Sequence, residues 1–91
     1  MVIQITSVRM EGGEGHPYIT AVNWSNPREG QTGTYTMAEL VDLIENQDGS
    51  AYITDGSRTS WMGIIETPTT KYVRAVADGA WTDDLLYIPR S

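Results

Sequence analysis

Thr36-Met37-Ala38-Glu39-Leu40-Val41-Asp42-Leu43-Ile44-Glu45-Asn46-Gln47-Asp48-Gly49 is the stretch on which the fold turns. A Thr with Glu three residues on is the capping box, in which the hydroxyl accepts from the backbone of Glu39 and the Glu39 carboxylate accepts from that of Thr36. Tyr35 and Leu40 stand at the two positions of a hydrophobic staple across that start. Met37, Leu40, Val41 and Ile44 fall at i, i+3, i+4 and i+7 and form one apolar stripe, with Glu39, Asp42 and Glu45 on the other side. Asp48-Gly49 supplies a stop. The pattern predicts one helix over 37–47.

Outward from this helix the chain changes to short β-like runs. Residues 3–10 are rich in β-branched side chains, but their apolar phase slips at Thr6-Ser7. Such a slip predicts a β-bulge that re-aims the residues beyond it, Arg9 included. Glu11-Gly12-Gly13-Glu14-Gly15-His16-Pro17 reads as a loop, and 18–24 as a second strand with Tyr18, Thr20, Val22 and Trp24 on one face. After the helix come runs at 51–55, 60–66 and 71–77, split by turn residues, then a tight turn at Asp78-Gly79 and a last apolar run around Leu85 to Ile88. The order ββαβββ predicts an α+β fold: one domain over 1–91, a mostly antiparallel sheet of five to six strands with one helix packed on one face.

A helix of about eleven residues is only ~16 Å long and covers part of one sheet face. Yet Trp61 and Ile65 alternate with Met62 and Ile64, and Tyr72 and Val76 with Val73, Ala75 and Ala77, so both faces carry apolar groups. Either the C-terminal run folds back over the second face or another subunit covers it. A homo-oligomer is the preferred expectation, because an exposed apolar patch limits solubility.

The composition narrows function more by exclusion. The chain has no Cys and a single His, so thiolate chemistry, disulfides and multi-His metal sites are outside its reach. Its net charge of −6 opposes a nucleic-acid polymer as partner. Met1 opens on an apolar strand without a basic leader, and no run approaches the ~20 apolar residues of a membrane span, so the reading is cytoplasmic with no membrane. The Gly-rich loop fits neither the dinucleotide fingerprint nor the P-loop, and its own Glu11 and Glu14 repel phosphate. Asp78, Asp83 and Asp84 lack the spacing of a calcium loop. No cofactor and no catalytic set is implied.

Every aromatic ring carries a polar atom: three Trp and five Tyr, with no Phe. Trp and Tyr suit half-wet walls and interfaces, where one side of the ring packs and the polar atom meets a partner. Tyr72 and Arg74 share a strand face, a pair ill suited to a core, and Trp81 follows a Gly turn.

The segments 5–15, 36–52 and 72–90 resemble a family of small bacterial and phage domains, domain of unknown function 3892. Val8-Arg9 with the Gly-rich loop and His16 carry the likeness, as do Ile19-Thr20 with Val22 and Trp24, and Asn26-Pro27 with Gly33. The helix and Ala51-Tyr52 add to it, and Ala77-Asp78-Gly79-Ala80-Trp81-Thr82-Asp83 with Leu85-Leu86 and Pro89-Arg90 closes it. Ser91 departs from a pattern that has an aromatic there. The resemblance implies a stand-alone domain and brings no catalytic residues.

The leading expectation is a non-enzymatic domain that captures a small planar anionic ligand, nucleotide-like, in a pocket shared between subunits. Arg9, Arg74 and His16 meet its anionic groups, and Trp24, Tyr72 and Trp81 stack on it or line the wall. In a phage, such a domain suits sequestration of a signalling nucleotide. The alternative is a protein–protein interaction module using a Trp/Tyr surface patch. A small hydrolase built on Asp83 or Asp84 with His16 ranks last.

Overall fold

The computed structural model describes residues 1–90; Ser91, and with it the departure at that position, lies outside the described residues. Seven strands form one sheet: β1 (Val2–Met10), β2 (Ile19–Asn26), β3 (Gln31–Thr36), β4 (Ser50–Thr54), β5 (Thr59–Glu66), β6 (Lys71–Ala77) and β7 (Ala80–Thr82). The helix α1 (Met37–Asn46) joins β3 to β4. The strand order is β3-β2-β1-β4-β5-β6-β7, antiparallel throughout except for β1 and β4, which run parallel through Val2–Gln4 and Ser50–Tyr52. The α+β class with one helix therefore holds, in a mixed sheet of seven strands.

The helix starts where its capping box lies. The Glu39 backbone N–H donates to the Thr36 hydroxyl at 3.2 Å, and the Thr36 N–H donates to the Glu39 carboxylate at 3.0 Å. At the far end Asp48 takes the left-handed conformation (φ +58°), and the Gly49 N–H donates back to the Leu43 carbonyl at 2.9 Å. Leu40, Val41 and Leu43 are the buried residues of α1, while Met37 and Ile44 pack partly buried at the rim. Leu43, absent from the stripe read in the sequence, joins because it follows buried Leu40 by three residues and so shares its side of the helix.

That surface is built by alternation. Ile3 and Ile5 of β1, Ala51 and Ile53 of β4, Met62 of β5, and Val73 and Ala75 of β6 all point to the helix side and are buried. The bulge falls where the phase slips: Ile5 pairs with Trp24 and Ser7 with Asn23, leaving Thr6 unmatched. The extra residue keeps Val8 on the core side with Ile5. Beyond it β1 parts from β4 and pairs with the C-terminal residues instead. The Val8 N–H donates to the Pro89 carbonyl at 3.0 Å, and Val8 bridges Arg90 in parallel.

Several elements differ from the sequence reading. β3 adds a strand that the order ββαβββ does not count; it pairs with β2 from Ala21–Thr36 to Asn26–Gln31, and its Gly33 makes room for the Trp24 ring. Tyr18 belongs to a 3-10 turn (His16–Tyr18) and not to β2. A second register shift, between Arg9 and Met10, passes over Thr20 and turns Ile19 inward, where it is buried. The last apolar run is a 3-10 turn (Asp84–Tyr87) after the short β7. It folds back onto the helix side, where Leu85 is fully buried in the same core and the Asp84 carboxylate accepts from the hydroxyl of buried Ser60. The second face of the sheet is left uncovered within the chain.

Candidate functional site

The uncovered face is readable row by row from the register. One row crosses the whole sheet: Thr32, Ser25, Gln4, Tyr52, Trp61, Val76 and Trp81, from β3 to β7. The next holds Gly63 opposite Arg74, and the one after it Ile65 opposite Tyr72. Directly opposed residues share a face, so Tyr52, Trp61, Ile65, Tyr72, Arg74, Val76 and Trp81 all look outward on the β4–β7 half.

The two halves of this face differ in chemistry. On β1–β3 the polar groups satisfy one another: the Asn23 amide donates to the Ser7 hydroxyl at 2.8 Å and accepts from the Thr34 hydroxyl at 2.7 Å. On β4–β7 the face is aromatic. Tyr52 and Trp61 touch with ring centres 5.2 Å apart, and Trp61 and Trp81 remain 48% and 46% exposed. Gly63 lets Trp81 lie flat: its ring reaches across β6, and a β-carbon at residue 63 would stand 2.8 Å from the indole. The result is an aromatic shelf spanning four strands, about 15 Å at the usual inter-strand spacing.

Charge is distributed just as unevenly. Twelve Asp and Glu give the chain its net −6. Among the described residues no strand position on this face carries a carboxylate, and its charged groups are Arg9 and Arg74. The acidic residues sit on α1, in the turns and, for Glu66, at the end of β5 opposite Lys71, where exposed carboxylates cost little.

At the edge of the shelf Arg74 is anchored but not saturated. Its Nε donates to the Thr82 carbonyl at 3.1 Å and one terminal nitrogen to the Asp83 carboxylate at 2.9 Å. His16, from the 3-10 turn that follows the Gly-rich loop, stacks on Tyr72 at 6.4 Å between ring centres and is only 7% exposed. Its Nε2 is buried with no hydrogen-bond partner. Burial lowers the imidazole pKa, the Arg74 guanidinium lowers it further and Asp83 opposes both, so His16 is a neutral ring.

Of the six residues singled out in the sequence, His16, Tyr72 and Arg74 thus come together, and Trp81 lies on the same face as Tyr72 and Arg74. Trp24 does not join them. It looks to the helix side, covers Gly33, stacks on Tyr35 at 5.2 Å and packs against the core. Arg9 stands apart as well, exposed and facing Glu11 at 3.8 Å. Tyr52 and Trp61 are the additions: alternation within β4 and β5 left their partners open, and only the register places them beside Trp81. No group of three His, Cys, Asp or Glu side chains among the described residues is placed to hold a metal ion, and no helix is long and apolar enough to cross a membrane.

Compared with known proteins, the chain is matched over residues 4–89 by the model of a family described as "Protein of unknown function (DUF3892)". No curated protein and no solved structure matches it.

Proposed function

The chain belongs to that family, and because membership brings no activity with it, we propose from the geometry a non-enzymatic binding domain whose helix-free sheet face captures a small planar anionic ligand of nucleotide type. One observation carries this reading: Trp61, Trp81 and Tyr52 form a shelf beside Arg74 on a face whose strand positions carry no carboxylate, in a protein of net charge −6. A planar base stacks on Trp or Tyr with ~1–3 kcal/mol per ring. An anionic group meets Arg74 by displacing its contact with exposed Asp83. Tyr72 and His16 back Arg74 as a rigid, uncharged wall.

A ligand on an open shelf is stacked on one side only. A second copy of the chain closes the other side, and strand positions without carboxylates keep the repulsion between two acidic chains low there. In this form the domain sequesters its ligand between subunits.

Thermal shift against nucleoside mono- and diphosphates, cyclic dinucleotides and ADP-ribose tests the reading. A binder at 100 times its Kd raises stability by about 2.7 kcal/mol, and Trp81→Ala or Arg74→Gln removes that gain. Absence of any shift across the panel sinks the ligand reading. The exposure of Trp61 and Trp81 in one row with Tyr52 favours, as second reading, an interaction module for another protein. Native mass spectrometry separates the two: a stoichiometric partner chain without a retained small molecule favours the second.

A further inference from the structure

On the other side of the molecule a cleft of about 190 Å³ lies between the β4–β5 turn and the 3-10 turn Asp84–Tyr87. Its floor is Ile53 and Ile88, and its rim carries Arg58, Asp55 and Asp84. Asp84 Oδ2 accepts from the Ser60 hydroxyl at 3.0 Å, and Ser60 is 2% exposed, so that oxygen is fixed from below. The Arg58 guanidinium approaches the same oxygen only to 3.6 Å, too far for a hydrogen bond. Among the described residues its side-chain N–H groups have no hydrogen-bond acceptor, and Asp84 Oδ1 has no donor. Asp55 is pinned through Oδ1 alone, which accepts from the Ser57 and Arg58 backbone N–H groups at 2.9 and 2.8 Å, leaving Oδ2 free.

A part-exposed ion pair at 3.6 Å without a direct hydrogen bond, above an apolar floor, matches a molecule that carries both charges and a hydrocarbon tail. Size decides against larger candidates. At about 190 Å³ the cleft is well under the ~300 Å³ at which cofactor pockets begin. Tyr87 on its wall is 81% exposed and leaves most of its ring open to a ligand.

We propose that this cleft binds a small zwitterion of the α-amino-acid class with an apolar side chain. Its carboxylate pairs with the Arg58 fork, its ammonium with Asp84 Oδ1 and Asp55 Oδ2, and its side chain lies on Ile53 and Ile88 under the Tyr87 ring. The site is separate from the aromatic shelf and stands independently of the function proposed there.

Titration of the ¹⁵N-labelled full chain with L-leucine, isovalerate and isoamylamine tests it. L-leucine produces saturable shifts at the amides of Arg58, Ser60, Asp84 and Tyr87, while each single-charge analogue binds at least about tenfold more weakly, the cost of ~1.4 kcal/mol. Arg58→Gln, at an exposed position, loses the leucine response with an unchanged melting temperature, and Trp81→Ala keeps it. No saturable shift with leucine up to about 10 mM, weaker than any useful affinity at this size, overturns the proposal. So does isovalerate binding as tightly as leucine, which makes the cleft a plain anion site, or an intact response in Arg58→Gln.

Discussion

Trp81 on β7 rests on Gly63 of β5, two strands away, closely enough that a β-carbon there would lie 2.8 Å from the ring edge. The outer side of the ring is in solvent and the ring can swing out, although Val76 Cγ2 at 3.3 Å narrows the room. Gly63→Ala should therefore lift Trp81 off the sheet at a cost within about 1 kcal/mol. In a Trp24→Phe, Trp61→Phe background the remaining emission should shift to the red. An unchanged spectrum would mean that the ring does not lie on residue 63.

Gly33 under Trp24 looks alike and should behave differently. A β-carbon there would stand 2.7 Å from an indole that is held by Tyr35 and the core, with no free side to retreat to. Overpacking of this kind costs about 1–3 kcal/mol. Urea denaturation of Gly33→Ala beside Gly63→Ala checks the contrast: equal losses would refute the assignment of Trp24 to packing and Trp81 to the open face.

The His16 ring makes stability depend on pH. Its folded-state pKa lies below the usual 6.5, so as pH falls the unfolded chain takes up the proton first. The stability from keeping His16 neutral is full above about pH 6.5 and is lost as pH drops from there through the folded-state value. Chemical denaturation at closely spaced pH values should show this decline, and His16→Gln should flatten it. A variant with the same slope as the parent would remove His16 from the account.

Thr36 holds the first turn of the helix through its hydroxyl. Thr36→Ala should lower stability by about 1 kcal/mol, and Thr36→Ser should keep most of it. Equal losses in the two variants would show that the methyl group, not the cap, matters at this position.

The helix was legible because every signal for it is local: a cap and its partner three residues apart, an apolar spacing, a stop. The bulge at Thr6 was legible for a similar reason, since a phase slip is written along one strand. β3 was not. Its Thr residues and Gly33 have no apolar alternation, and Gly33 is explained only by the Trp24 ring lying over it from the neighbouring strand. The parallel pairing of β1 with β4 was equally hidden, because forty-odd residues separate Val2 from Ser50. As for the site, Tyr72 and Arg74 could be paired from their spacing, and Trp81 from its odd setting. Tyr52 and Trp61 needed the register of three strands, and the absence of carboxylates on their face is a property of all seven strands together.

The bond from Val8 to Pro89 sets an order of events in the making of the protein. A ribosome that has released β1 to β6 has still not released the segment that occupies the gap beside the bulge. Until residue 89 emerges, the outer half of β1 keeps an open edge, and the core it belongs to lacks Leu85. The nascent chain thus carries an unsealed seam from the release of β1 until residue 89 emerges and closes it. Chaperone contact during translation should be longest at that seam.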